Sequence, residues 1–273
     1  MPKHEVFFLP AADGGHRFCI FHPPKRAIAH GAVLYVHPFA EEMNKSRRMA
    51  ALFSRALTDA GYGVLQLDML GCGDSSGDFG DASWHAWKAD IVTGITWLQD
   101  RLPVPLTLWG LRAGCLLMAS VAVDLEKRPN LIFWQPVISG KQYWQQFMRL
   151  KVAAALGVGS GKEILESLRQ QLSAGAKVEI AGYSIRPELA EGLSSAELLP
   201  GVGRGGKVAW LEISSRTTGD ASPVVRERIE IWNSASWQVD SAVVNGPAFW
   251  QTNEIEEAPG LIDATLDIIE AWQ

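Results

Sequence analysis

Short, mostly apolar runs recur along the first half of the chain, at Ala32–Val36, Gly63–Leu67, Leu106–Trp109 and Asn130–Trp134. Such runs lack polar alternation, which suits strands covered on both faces, as in a parallel sheet. Between them the apolar positions fall at helical spacing. The segment R-R-M-A-A-L-F-S-R-A-L-T-D-A follows Ser46, a candidate N-cap, and stops at Gly61. A second helix is predicted over Trp84–Leu102, ended by Pro103, and a third over Ala113–Leu125. Ahead of these, Val6–Leu9 and Phe18–Phe21 flank A-A-D-G-G-H and read as an N-terminal hairpin.

The alternation breaks after the fourth run. Residues Ser139 to about Leu199 contain helical stretches but no convincing buried strand, which reads as an insertion. Strands are predicted again at Lys207–Ile213 and Gln238–Val244, then a last helix from about Ala258 to Trp272. Buried strands alternating with amphipathic helices predict an α/β fold, a mostly parallel central sheet with helices on both faces. With no internal repeat or low-complexity linker, residues 1–273 read as one domain carrying a small helical cap at about 139–199.

Composition narrows the partners. At 47% hydrophobic and 20% charged, the chain has the makings of a sizeable globular core. A net charge of −5 without blocks of like charge sets nucleic acid aside. No apolar run is long enough to span a bilayer, and M-P-K-H-E-V-F-F-L-P lacks the pattern of a signal peptide. Cys19, Cys72 and Cys115, odd in number and far apart, fit free thiols in a reducing compartment, so a cytoplasmic location is expected. No metal or cofactor is expected. The stretch G-V-G-S-G-K (157–162) has the wrong glycine spacing and helix-like sequence before it, and is not a phosphate loop.

The chemistry concentrates at L-W-G-L-R-A-G, residues 108–114, between the third strand and its helix. Glycines four apart around one residue are the pattern of a nucleophile elbow, whose middle position in Gly-x-Ser-x-Gly is the attacking serine. Here that position is Arg112. A guanidinium is permanently protonated and offers donors only, so it cannot attack a carbonyl. It sits where a helix start favours anions, so it needs a carboxylate or an anionic ligand as balance. Glu41 or Glu42 can serve as the carboxylate, and these two readings stand open. The loop Y-V-H-P-F-A-E-E-M-N would supply one oxyanion N–H from Phe39 or Ala40, with Ala113 giving the second. His37 in that loop is a candidate acid or base, against a bracing role. Cys115 is a tempting substitute nucleophile, against packing on an apolar helix.

The other hydroxyls and bases add little. Ser75 and Ser76 in D-M-L-G-C-G-D-S-S-G read as turn residues. All six histidines lie in the first third of the chain, and the loop after the last strand, V-V-N-G-P-A-F-W-Q, has none. A serine hydrolase of this chain order needs its histidine there. Asp220, in the turn after strand Lys207–Ile213, is the candidate acid. Trp134, Gln135, Tyr143, Trp144, Gln145 and Phe147 are candidate pocket residues, suited to an acyl chain or a sugar.

The segments H-P-F-A-E-E-M-N-K-S-R-R-M, D-M-L-G-C-G-D-S-S-G, W-G-L-R-A-G and G-P-A-F-W-Q-T together resemble the α/β-hydrolase-superfamily proteins associated with the exosortase A system. The likeness is to the second of the two hydrolase-like groups found there, and it spans nearly the whole chain. It implies the α/β-hydrolase fold and a setting of PEP-CTERM protein sorting and exopolysaccharide production. By the superfamily pattern Arg112 falls on the nucleophile position and Asp220 on the acid, while the histidine has no counterpart. Two functions are then expected in outline. One is a hydrolase or acyltransferase acting on an acyl or carbohydrate-linked ester. The other is a pseudoenzyme that holds an anionic small molecule at Arg112, with Glu41 and Trp134 as further ligand-binding candidates, or that binds a partner protein of the same pathway, which a large exposed apolar patch on the cap would favour.

Overall fold

A computed structural model describes residues 4–155, 160–201, 205–215, 219 and 221–272. The chain opens with a hairpin, β1 (Glu5–Pro10) and β2 (His16–His22). Alternation follows: β3 (Gly31–Val36), α1 (Glu41–Asp59), β4 (Tyr62–Leu67), α2 (Trp84–Arg101), β5 (Leu106–Leu111), α3 (Ala113–Ala122) and β6 (Asn130–Trp134). Next come α4 (Gly140–Ala154), α5 (Gly161–Ser173), β7 (Val178–Ile180), β8 (Tyr183–Ile185) and α6 (Pro187–Ser195). The chain then returns to the sheet with β9 (Lys207–Ser214), α7 (Pro223–Ser234), β10 (Gln238–Asn245) and α8 (Pro259–Glu270). Among the described residues the main sheet has the order β1-β2-β4-β3-β5-β6-β9-β10. Only the pairs involving β2 are antiparallel.

The central strands are buried because both faces are covered. Every residue of β3 and β5 is buried. Leu34, Val36 and Leu108 pack on one side with Ile91 of α2 and Leu116 of α3. Val33, Tyr35, Trp109 and Leu111 pack on the other with Phe53 of α1 and Leu261 of α8. The strict alternation of neighbouring residues between two apolar layers is the period-2 geometry of a strand. In the register of β3 with β5, Val36 stands opposite Gly110, so the turns that follow these strands leave the sheet side by side.

Three expectations change. Ser46 does not cap α1, which begins five residues earlier behind Ala40; the Ser46 hydroxyl instead donates to the Glu42 carbonyl at 2.7 Å. The inserted region is not wholly helical, since β7 and β8 pair as a short antiparallel hairpin. Trp134 does not face a pocket. Alternation along β6 sends Phe133 to the α3 side and Trp134 to the α1–α8 side, where it is fully buried against Phe53 and Trp109. Its indole donates to Thr265 Oγ1 of α8 at 2.9 Å.

Candidate ligand-binding site at the elbow

The turn from β5 to α3 has the geometry its glycines allow. Gly114 packs against backbone: a Cβ there would stand 2.7 Å from the His37 carbonyl oxygen and closer still to that of Val36. At Gly110 a Cβ would meet the Cys115 nitrogen at 2.9 Å. Between them Arg112 has φ 55° and ψ −122°, a conformation that a side chain adopts at a cost of roughly 1–3 kcal/mol. Its N–H donates to the Trp134 carbonyl, and its carbonyl accepts from Cys115 and Val137. Backbone on all sides holds the arginine at the tip of the elbow.

A matching turn lies one strand away. Ala40, before α1, has φ 52° and ψ −128°, and it places Glu41 and Glu42 in the first helical turn. Carboxylates are favoured there by the partial positive charge of the helix start. Arg112 Nε lies 3.3 Å from Glu42 Oε1, with both side chains largely buried. Glu41 faces outward and approaches Lys45 at 3.7 Å. The carboxylate that balances Arg112 is therefore Glu42. Burial pushes the Glu42 carboxyl above its ordinary range, chiefly against the pull of the Arg112 charge.

Aromatic rings fix the guanidinium from two sides. Its central carbon lies 5.6 Å from the centre of the Tyr143 ring and 5.4 Å from that of Trp250, within cation–π range. Tyr143 comes from α4 and Trp250 from the loop after β10. A cleft of about 290 Å³ opens here, lined by Phe39, Glu42, Arg112, Tyr143, Phe147 and Trp250, with Glu41 at the same site. This is the small end of the usual range for small-molecule sites. A second cleft of about 450 Å³ lies on the other flank of Arg112, between Ser139, Gln142, Glu197 and Arg228. Arg112 lines both. Among the described residues its terminal Nη groups make no hydrogen bond; only Nε does.

Phe39 apart, the remaining candidates do not line the cleft. His37 is buried, with Nδ1 2.9 Å from the Pro38 carbonyl and Nε2 3.4 Å from the Met69 N–H. Burial lowers its pKa, partly offset by Asp68, so a neutral imidazole braces the loop. Ser75 is buried and its hydroxyl accepts from the Phe18 N–H at 2.9 Å, and Ser76 accepts from His16. Both are turn residues. Gln135 ties the sheet edge: its side-chain oxygen accepts from the Ile213 N–H at 2.7 Å. Phe39 and Ala113 line a narrow apolar gap beside His37, and among the described residues their backbone N–H groups donate no hydrogen bond. Asp220 lies outside the described residues. Among those described, no three His, Cys, Asp or Glu side chains group as metal ligands, and no helix is long and apolar enough to cross a membrane.

Cys115 is no replacement for the missing serine. It is fully buried in the core beneath the elbow, and burial pushes its thiol up despite the nearby Arg112 and the helix start. Cys72 is raised by the same cause, and Cys19 is pushed up to about 12. The nucleophile is the thiolate, which these sites suppress. At pH 7.5 the native protein should therefore leave an aromatic disulfide reagent unreacted over minutes and release three equivalents on unfolding. Rapid reaction of one thiol in the native state would return Cys115 to consideration.

Sequence reasoning passed over Trp250 and left Glu41 and Glu42 unresolved. A signal for Trp250 existed: it stands in the loop where a serine hydrolase carries its histidine, with Phe249 beside it taking the core position.

Comparison with known proteins agrees with this architecture. No protein-family model matches the chain. It is similar to Est1E from Butyrivibrio proteoclasticus, solved with ferulic acid bound, at a TM-score of 0.64 and 14% identity over 97% of this chain and 98% of that one. A thermostable carboxyl esterase from Bacillus coagulans, in complex with glycerol, gives 0.64 and 14% over 100% and 97%. A soluble variant of the monoglyceride lipase of Saccharomyces cerevisiae, with a substrate analog, gives 0.64 and 14% over 100% and 95%. In sequence, the human Protein ABHD12B is 25% identical over 126 residues, 46% of this chain and 33% of that protein. The chain thus matches only about a third of that relative's length. The fold is the α/β-hydrolase fold, with arginine at the tip of its elbow.

Proposed function

We propose that this chain is a ligand-binding protein on a hydrolase scaffold, its cleft holding a small molecule with an anionic head and an apolar tail. The observation that carries this reading is Arg112 itself. Its Nε is spent on Glu42, two rings lie within cation–π range of it, and among the described residues its terminal N–H groups make no hydrogen bond although the residue lines the cleft. A guanidinium presented in this way suits a carboxylate or phosphate. Phe39, Phe147, Leu150 and Trp250 would receive the apolar part. Among the described residues, nothing around the elbow offers a nucleophile with a base beside it, which an acyl-transfer site requires.

A second reading, an esterase or acyltransferase, is favoured by one observation, the unbonded N–H groups of Phe39 and Ala113 beside the elbow. Such a pair is what an oxyanion needs. We place the ligand within exopolysaccharide assembly on the resemblance of the four quoted segments alone. The pseudoenzyme reading is part of the same proposal.

Thermal melting with sodium octanoate, beside hydrolysis of short p-nitrophenyl esters, separates the two. Octanoate well above its Kd should raise the melting temperature, since a hundredfold excess over Kd adds about 2.7 kcal/mol of stability. The esters should be released no faster than in buffer. Ester turnover without any octanoate effect would reverse the order of the two readings.

A further inference from the structure

Two polar atoms among the residues lining the Arg112 cleft are buried without a hydrogen-bond partner: the second carboxylate oxygen of Glu42, Oε2, and the indole nitrogen of Trp250, Nε1. Glu42 is more than nine-tenths buried, and Trp250 more so. A buried polar group left unpaired is costly and rare in native proteins, so a pair of them at one cleft calls for a partner. One is an acceptor and the other a donor. They flank the same guanidinium, Glu42 through its ion pair and Trp250 through its ring face.

Resting on the ligand-binding reading above, we propose that the ligand is a hydroxy carboxylate whose carboxylate meets the Nη groups of Arg112 and whose hydroxyl donates to Glu42 Oε2. A hydroxyl is the group that suits both orphans, since it donates one hydrogen and still accepts from the Trp250 N–H. An ammonium group would satisfy Glu42 yet could accept nothing from the indole. A plain fatty acid would leave both atoms unpaired. Because Oε2 is buried, side chains of the cleft must shift as the ligand enters. The apolar remainder of the molecule then lies against Phe39, Phe147 and Leu150.

Titration calorimetry with octanoate, 2- and 3-hydroxyoctanoate and 3-aminooctanoate tests this. One of the hydroxy acids should bind at least tenfold more tightly than octanoate, the range expected for a hydrogen bond to a charged group. Glu42→Gln, which keeps the shape, should shrink that preference to a few-fold, and Trp250→Phe, which keeps a ring under Arg112, should narrow it as well. Melting curves of both variants confirm that they are folded. Equal affinity for octanoate and both hydroxy acids would overturn the hydroxy-carboxylate assignment while leaving an anion site in place. Tighter binding of the amino acid would overturn it in favour of a zwitterion. Binding of none of the four would bring down this assignment and the ligand-binding reading together.

Discussion

Asp90→Ala is expected to destabilise the protein by about 3–5 kcal/mol, the usual cost of leaving one member of a buried ion pair alone. Arg17, on β2, is almost completely buried. Its Nε donates to Asp90 Oδ1 of α2 at 2.6 Å, and its Nη2 to Asp13 Oδ2 at 2.6 Å. The other Asp90 oxygen accepts from the Leu70 N–H at 2.8 Å, in the glycine-rich turn after β4. One carboxylate therefore joins the N-terminal hairpin, that turn and α2. Without it, Arg17 keeps the half-exposed Asp13 as its carboxylate partner, with the His16 carbonyl and the Ser76 hydroxyl, and the Leu70 N–H loses its acceptor. Urea unfolding followed by tryptophan fluorescence measures the loss. The double change Arg17→Met with Asp90→Leu should recover much of it, because apolar replacement removes the desolvation penalty of both ions. A loss under 1 kcal/mol for Asp90→Ala would mean that water reaches this network.

How much of this was legible in the sequence depends on which force decided each element. Strands β3 and β5 were clear because parallel pairing buries both faces and leaves uninterrupted apolar runs. The elbow was clear too, since Gly110 and Gly114 are dictated by backbone contacts that tolerate no Cβ. Trp134 was misplaced for a reason of parity. In a strand with two apolar faces the pattern cannot say which face a residue joins, and here it joined the α8 side. Strands β7 and β8, three residues each, are too short for any period to register. Helix α7 gave little signal because only Val225 and Trp232 are buried on it. The choice of Glu42 over Glu41 depends on where α1 begins, and that was hidden by an N-cap with no capping side chain, Ala40. The site was thus readable at Arg112 and unreadable in its partners, which come from α1, α4 and the loop after β10.

Arg112→Met should give a protein whose deficit in stability depends on pH. Methionine adopts the same strained backbone as arginine, so strain cancels in the comparison, and its length preserves much of the contact with Tyr143 and Trp250. What is lost is the charge. Glu42 then stays buried with no cation beside it, and at pH 7 we expect a deficit of about 3 kcal/mol against wild type. The sign follows from the direction of its titration. Burial already holds the folded-state pKa of Glu42 above the unfolded one, and the Arg112 charge is the main influence restraining that rise. Removing it raises the folded value further. A carboxyl so shifted favours the folded state when protonated; its contribution is fully present below the unfolded pKa of about 4.3 and is lost as pH rises through the folded value. The deficit should therefore be small near pH 4.5 and widen toward pH 7, as read from urea titrations of both proteins at three or four pH values. Adding Glu42→Gln to Arg112→Met should close the gap at every pH, because no charge remains to be buried. If instead the single variant were uniformly weakened, or barely weakened at all, Glu42 would be solvated well enough to stand alone. The ion pair would then be a surface contact worth little, and Arg112 would be held at the elbow by its two aromatic rings.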